Sequence, residues 1–161
     1  MSLANKVPSD PLDYLVKYAS TAGIHFAVAA GNDNQDACMT SPGRASRESD
    51  IVTVGSINVS YQRSIFSNFG SCVTLYAPGE IIVNTGIGST TATKIDSGSS
   101  MACPHIAGLM AVFLAQDPSL QLDTAKMKRK LIAMARRLPL DETQRETSDP
   151  GLLANNGNLE R

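Results

Sequence analysis

The 161 residues carry no surplus of either charge, no long apolar run, no internal repeat and only two histidines. Each absence excludes something. Lysine and arginine number 14 against 15 acidic residues, a formal net charge of −1. The broad basic face that displaces counterions from a nucleic-acid backbone is therefore missing. The longest apolar stretch, near residues 106–115, is half of the about 20 residues a membrane span needs. Neither nucleic acid nor a membrane is expected as a partner. The opening MSLANKVPSD has no apolar core behind a basic start, so it does not read as a secretory signal. If the protein is exported, this chain is not the complete precursor. The three cysteines, Cys38, Cys72 and Cys103, form no C-x-x-C pair. Their spacing leaves open one bridge with one thiol over, or three reduced thiols. The sequon Asn58-Val59-Ser60 matters only in a secretory compartment.

What is present is globular. Hydrophobic residues make up 42% and charged residues 18%, in one domain's length of chain. Asp10 and Pro11 predict a helix start, with Asp10 as cap. Leu12, Leu15, Val16 and Ala19 recur at helical spacing, and Gly23 stops the helix. His25 to Ala30, Ile51 to Val54 and Val73 to Tyr76 read as short strands buried on both faces, the kind found in parallel sheets. Residues 31–49 read as a polar loop. Ile81 to Val83 and Thr93 to Ile95 are further strand candidates. A long helix is expected from about Ser100 to Ala115. Its apolar residues (Met101, Ile106, Leu109, Met110, Val112, Phe113 and Leu114) cover nearly the whole circumference, which predicts burial all round. Pro104 falls in its first turn. A second helix is expected from about Leu122 to Arg137. Met127, Leu131, Met134 or Ala135, and Leu138 form its core stripe. Lys126, Lys128, Arg129, Lys130, Arg136 and Arg137 form a solvated basic face. Residues 139–161 read as a largely irregular tail. Alternating helices and uniformly apolar strands predict an α/β fold: a three-layer, doubly wound, mostly parallel sheet with a buried central helix.

Two segments offer chemistry. Ala29-Ala30-Gly31-Asn32 runs from a strand into a loop, and ligands in such sheets bind beyond the carboxyl ends of strands. Asn32 is therefore placed to turn an amide donor towards a substrate, although Asn after Gly is also ordinary turn chemistry. In Ser97-Gly98-Ser99-Ser100-Met101-Ala102-Cys103-Pro104-His105 a serine opens the long helix behind a glycine able to take positive φ. The helix start supplies free N–H groups and a positive dipole end. That suits a serine whose attack creates an oxyanion. The competing assignment is a simple cap by Ser97, Ser99 or Ser100.

Taken in order, HFAVAAGNDNQDAC, TVGS, SIFSNFGSCVTLYAPG and GSSMACPHIAGLMAVFLA resemble the C-terminal part of a subtilisin-like serine protease catalytic domain, closest to the proteinase K and aqualysin branch. Met1-Ser2-Leu3 resembles the family's substrate-binding strand, though Ala4-Asn5 stands where Gly-Gly is usual. Gly151 to Asn156 resembles the family's C-terminus. The resemblance implies a serine endopeptidase lineage acting on proteins or peptides. It implies Ser100 as nucleophile, with Ser99 in place of the usual Thr, and Asn32 as the oxyanion amide. Ala29, Ala30 and Gly31 would line the specificity pocket beside Gly98 and Ser99, and Met1, Ser2 and Leu3 would pair with substrate. It implies a Cys38–Cys72 disulfide and hence an oxidising, extracellular setting. Cys103 is expected as a small buried hydrophobe. Calcium belongs to the complete family domain, but Thr74 stands where some relatives hold the ion with an aspartate, so that site is expected to be lost.

The base and the carboxylate that orients it are missing. In the family the chain order is Asp, His, Ser, and both earlier members lie upstream of the substrate strand. His25 matches a non-catalytic position. His105 lies five residues after Ser100, about 500° of helical rotation and so about 140° off its face. An α/β-hydrolase elbow, loosely imitated by Gly98 to Ala102, would need Asp and then His downstream. The chain alone is therefore expected to be inactive, with the N-terminal part of the same catalytic domain as its missing partner. The alternative is a non-catalytic remnant whose groove holds peptides. An unpaired sheet edge and a partly bare apolar helix are expected either way.

Overall fold

The computed structural model describes residues 1–139 and 148–157. The first helix, α1 (Asp10–Thr21), starts one residue earlier than the sequence predicts, because Ser9 takes the extended cap conformation and Asp10 is already helical. Gly23 ends it as expected. With φ at 92°, Gly23 donates to Ser20 while Ile24 reaches back to Ala19, which satisfies the last carbonyls. The buried face is Asp13, Val16 and Ser20. Leu15 is exposed, against the predicted stripe, because Arg44 draws the helix round. It binds Asp13 and Asp10, and the hydroxyl of Ser41 donates to the same Asp13 carboxylate at 3.0 Å.

Five strands form the main sheet in the order β1 (Ala27–Ala29), β2 (Val52–Ile57), β3 (Leu75–Pro78), β7 (Leu152–Leu153), β6 (Arg136–Arg137). The first four are parallel and β6 is antiparallel to β7. Alternation sorts the side chains. Ala27, Ala29, Val52, Val54, Leu75 and Ala77 face α2 (Ser99–Gln116) and α3 (Thr124–Met134). Val28 and Ile51 face Val16 of α1, and Tyr76 and Ile57 lie over the residues around Cys72. Three layers result, an α/β arrangement with a mostly parallel sheet. A separate hairpin, β4 (Ile82–Thr85) with β5 (Thr93–Asp96), stands apart from the sheet.

Several boundaries differ from the sequence reading. Residues 31–49 are not a bare polar loop: they hold two short 3-10 helices, Ala37–Met39 and Gly43–Arg47, and much of the segment is buried. β3 begins at Leu75 rather than Val73, because Val73 is turned towards the second cluster. α3 ends at Met134, so Arg136 and Arg137 are strand residues rather than a helical face. Lys128 is not on a solvated face either. Its ammonium donates to the carbonyls of Ser46 and Ser49 at 2.7 and 2.8 Å, and burial pushes its pKa down. The tail is not all irregular, since Leu152 and Leu153 pair with β6 and Leu153 also pairs with Tyr76 of β3. Residues 140–147 and 158–161 of that predicted tail lie outside the described residues.

α2 departs from burial all round but matches the expectation of a partly bare apolar helix. Only Ser99, Ala102, Cys103, Ile106, Met110 and Phe113 are buried, a single stripe against the sheet. Pro104, His105, Ala107, Gly108, Ala111 and Val112 are open, and Val112 is 49% exposed. The helix spans 18 residues at a mean hydropathy of 1.2, longer than the apolar run the sequence suggests. By length and composition it is sufficient to cross a membrane, but its inner stripe is packed on the sheet.

Candidate active site

The parallel sheet ends at β1, and the chain turns there through Ala30 and Gly31 to Asn32. Met1 extends the sheet by one more position: it donates to Ala27 O at 2.6 Å and accepts from Ala29 N at 3.1 Å. The outer edge of Met1 to Leu3 is left open, with Met1 39% and Leu3 48% exposed. α2 begins immediately beside this turn. A groove of about 400 Å³ runs between them, lined by Leu3, Ala4, Lys6, Ala29, Gly31, Asn32, Asp33, Ser99 and Ser100.

The hydroxyls at the helix start do not cap it. Gly98 is the cap residue and has no side chain to accept from the first turn. Ser97 accepts from Ile81 N at 2.9 Å, Ser99 accepts from Gly31 N at 3.1 Å, and Ser100 donates to Ser2 O at 3.1 Å. The cap assignment therefore falls. Ser99 N donates to the Asn32 side-chain oxygen at 2.7 Å, which turns the Asn32 Nδ2 the other way. At this helix start Asn32 Nδ2 and Ser100 N are left open among the described residues. A methyl group placed on Gly98 would lie 3.2 Å from the first and 3.6 Å from the second. Both donors thus border one small space, kept empty because Gly98 has no side chain. Glycine here answers to both room and backbone, since its φ of 159° is one that side chains rarely adopt. The positive end of α2 adds to the potential for negative charge in that space.

Of the residues singled out from sequence, Ser100, Asn32, Ser99, Gly31, Ala29 and Leu3 line one groove. Gly98 borders it, and Met1 and Ser2 are exposed beside it without lining it, Ser2 O accepting from the Ser100 hydroxyl. Ala30 does not face it. It is fully buried, and its carbonyl accepts from Thr40 and Asn68 on the other side. Neither histidine approaches Ser100. His105 donates to Met101 O of its own helix at 2.9 Å, and His25 meets Leu120 O at 3.1 Å. Cys38 and Cys72 are joined by a disulfide. Cys103 is a buried free thiol donating to Ala27 O at 3.2 Å. The Thr74 hydroxyl accepts from Thr53 N at 3.1 Å and is buried. That is a poor match to the carboxylate oxygens a calcium site prefers. Sequence reasoning missed Lys6 and Asp33, an ion pair at 2.5 Å on the rim, and Asn68, which lies beneath the turn.

The profile of the subtilase family matches residues 1–158. The chain belongs to the subtilase family. It is 45% identical over 158 residues to a subtilisin-like serine protease of Rhodotorula mucilaginosa, covering 92% of this chain and 45% of that protein. It is 43% identical over 159 residues to cerevisin of Saccharomyces cerevisiae, covering 92% of this chain and 24% of that one. Among solved structures, a cold-adapted subtilisin-like serine proteinase superposes with a TM-score of 0.82 at 39% identity, over 95% of this chain and 52% of its own. This subtilase chain therefore spans about half or less of the length of these relatives. Its fold is that part of a subtilisin-like α/β domain.

Proposed function

We propose that this chain supplies the nucleophile and oxyanion-binding half of a subtilisin-like endopeptidase site. Ser100 Oγ would attack a peptide carbonyl, and the resulting oxyanion would sit in the space bordered by Asn32 Nδ2 and Ser100 N. Substrate would pair with the open edge of Met1 to Leu3, an extended peptide added to a sheet, with its side chain directed along Ala29, Gly31 and Ser99. The observation that carries the reading is that pair of open donors beside Ser100 in one groove. A serine hydroxyl needs a base and an orienting carboxylate to be reactive. Neither histidine is placed to serve, so the reading assigns the acid–base pair to the remainder of a subtilase domain, seated on the bare side of α2. The disulfide supports an extracellular setting.

A second reading is a peptide-holding remnant. It is favoured by the Ser100 hydroxyl being bonded to Ser2 O rather than to a base. A serine-directed fluorophosphonate probe separates them. The isolated chain is expected to stay unlabelled. Adding a polypeptide that carries the Asp–His half of a subtilase domain is expected to give labelling at Ser100 that Ser100→Ala abolishes. Stoichiometric labelling of the chain alone overturns the dependence on a second half. Persistent silence with both halves present, together with measurable peptide binding, favours the remnant.

A further inference from the structure

We propose that Asn68 is a positioning residue that fixes Asn32 in its oxyanion-facing pose by acting as the template for the turn beneath it. The inference rests on the reading of Asn32 and Ser100 given above. Asn68 is fully buried and does not line the groove. Its side-chain Nδ2 donates to Ala30 O at 2.9 Å, and its Oδ1 accepts from Asp33 N at 3.0 Å and Gln35 N at 3.2 Å. Its backbone N donates to Gly31 O at 3.1 Å. Two of these four bonds reach residues before Asn32 and two reach residues after it. The turn has left the sheet, so its peptide groups need partners from elsewhere. A single amide group supplies them because it is donor and acceptor in one plane. Aspartate would lack the donor for Ala30, serine would be too short to span the turn, and glutamine would be one methylene too long.

The neighbours are shaped around this amide. A methyl on Gly31 would lie 2.3 Å from Asn68 Nδ2, and Gly31 has φ at 107°, a conformation side chains disfavour. Asn68 is itself anchored. The Ser67 hydroxyl donates to its carbonyl at 3.0 Å, and Arg63 bridges Ser67 O and Asn34 Oδ1 at 2.7 and 2.9 Å. On the groove side, Ser99 holds Gly31 N and the Asn32 side-chain oxygen. The Asn32 backbone is thus set from below and its side chain from the helix, and Nδ2 is left free and aimed.

The test uses the full chain, labelled with ¹⁵N, and two versions of a blocked tetrapeptide: one ending in a carboxylate, whose oxygen mimics the oxyanion, and one ending in a carboxamide. Hydrogen bonds to a charged acceptor make the carboxylate peptide bind about 10-fold more tightly to wild type. Asn32→Ala is expected to abolish that preference without changing exchange at the Asp33 and Gln35 amides. Asn68→Ala and the isosteric Asn68→Asp are expected to abolish it too. Both should shift the Asn32 side-chain amide resonances, and Asn68→Ala should also speed exchange at Asp33 and Gln35, whose acceptor Asn68→Asp retains, while amides in β2 and β3 stay protected and carboxamide affinity stays within about two-fold. An unmoved Asn32 resonance and a retained preference in either folded variant overturn the proposal. So does an equal loss of both affinities with β2 and β3 amides unprotected, which marks a residue needed only for folding. If neither peptide binds wild type, the groove reading has failed, and the Asn32 resonances and the Asp33 and Gln35 exchange still decide the role of Asn68.

Discussion

The two sides of α2 are made of similar residues and meet opposite fates. On one side Ala102, Cys103, Ile106, Met110 and Phe113 are at most 4% exposed against the sheet. On the other, Ala107, Gly108, Ala111 and Val112 face outward, and nothing approaches within 4 Å of the place a Gly108 side chain would occupy. Solvent alone does not select small apolar residues for an exposed face. The contrast teaches that an apolar pattern running round a helix does not by itself bury every side of it. The bare side is flanked by the open edge of Met1 to Leu3 and by a hairpin whose Ile81, Val83 and Ile95 are more than 60% exposed.

Substitutions on the two sides should separate them, beginning with the largest effect. Phe113→Ala on the inner side is expected to destabilise the chain by about 3–5 kcal/mol, measured by urea unfolding. An equal cost for Val112→Ser would erase the contrast. Removing the Cys38–Cys72 bridge, which closes a separation of 34 residues, should cost about 3–4 kcal/mol if denatured-chain entropy dominates. Comparing Cys72→Ala with wild type under oxidising and reducing conditions checks it, and the difference should vanish when both are reduced.

Tyr76→Phe tests the far face of the sheet. The hydroxyl donates to Asp149 at 2.5 Å, and burial with that neighbouring carboxylate raises the phenol well above its usual pKa of 10.0. The folded state keeps its proton where the unfolded state has lost it. This stabilisation is full below pH about 10 and fades as pH rises above that value. Wild type should therefore lose stability above pH 10 more steeply than Tyr76→Phe, which should cost about 1–2 kcal/mol at neutral pH. Parallel pH profiles would exclude Tyr76 as the titrating group. Least costly is Val112→Ser, within about 0.5 kcal/mol of wild type. Its expected signature is reduced self-association in sedimentation at high concentration.

Much of the architecture could be read from the sequence, for reasons that the same helix illustrates. The β1, β2 and β3 segments were legible because strands covered on both faces are uniformly apolar. The Ser100 and Asn32 segments were legible because a serine at a helix start and an amide at a strand end are local patterns. The misreadings arose where tertiary contacts overruled local pattern. Lys128 looked solvated, yet two carbonyls from a distant 3-10 helix and the turn after it claim its ammonium. Leu15 fitted a helical stripe, yet Arg44 turned Asp13 inward instead. Leu152 and Leu153 looked like tail because a two-residue strand has no period. Asn68 was invisible as a site residue because its partners lie more than thirty positions away.

The bonds from Gly31 N to the Ser99 hydroxyl and from Ser99 N to the Asn32 side-chain oxygen couple a helix start to a strand end through two adjacent links. Any tilt of α2 therefore drags the amide along with the serine, and the spacing between them survives as the helix shifts. A force on the bare side of that helix would move the site as one lever rather than pull it apart.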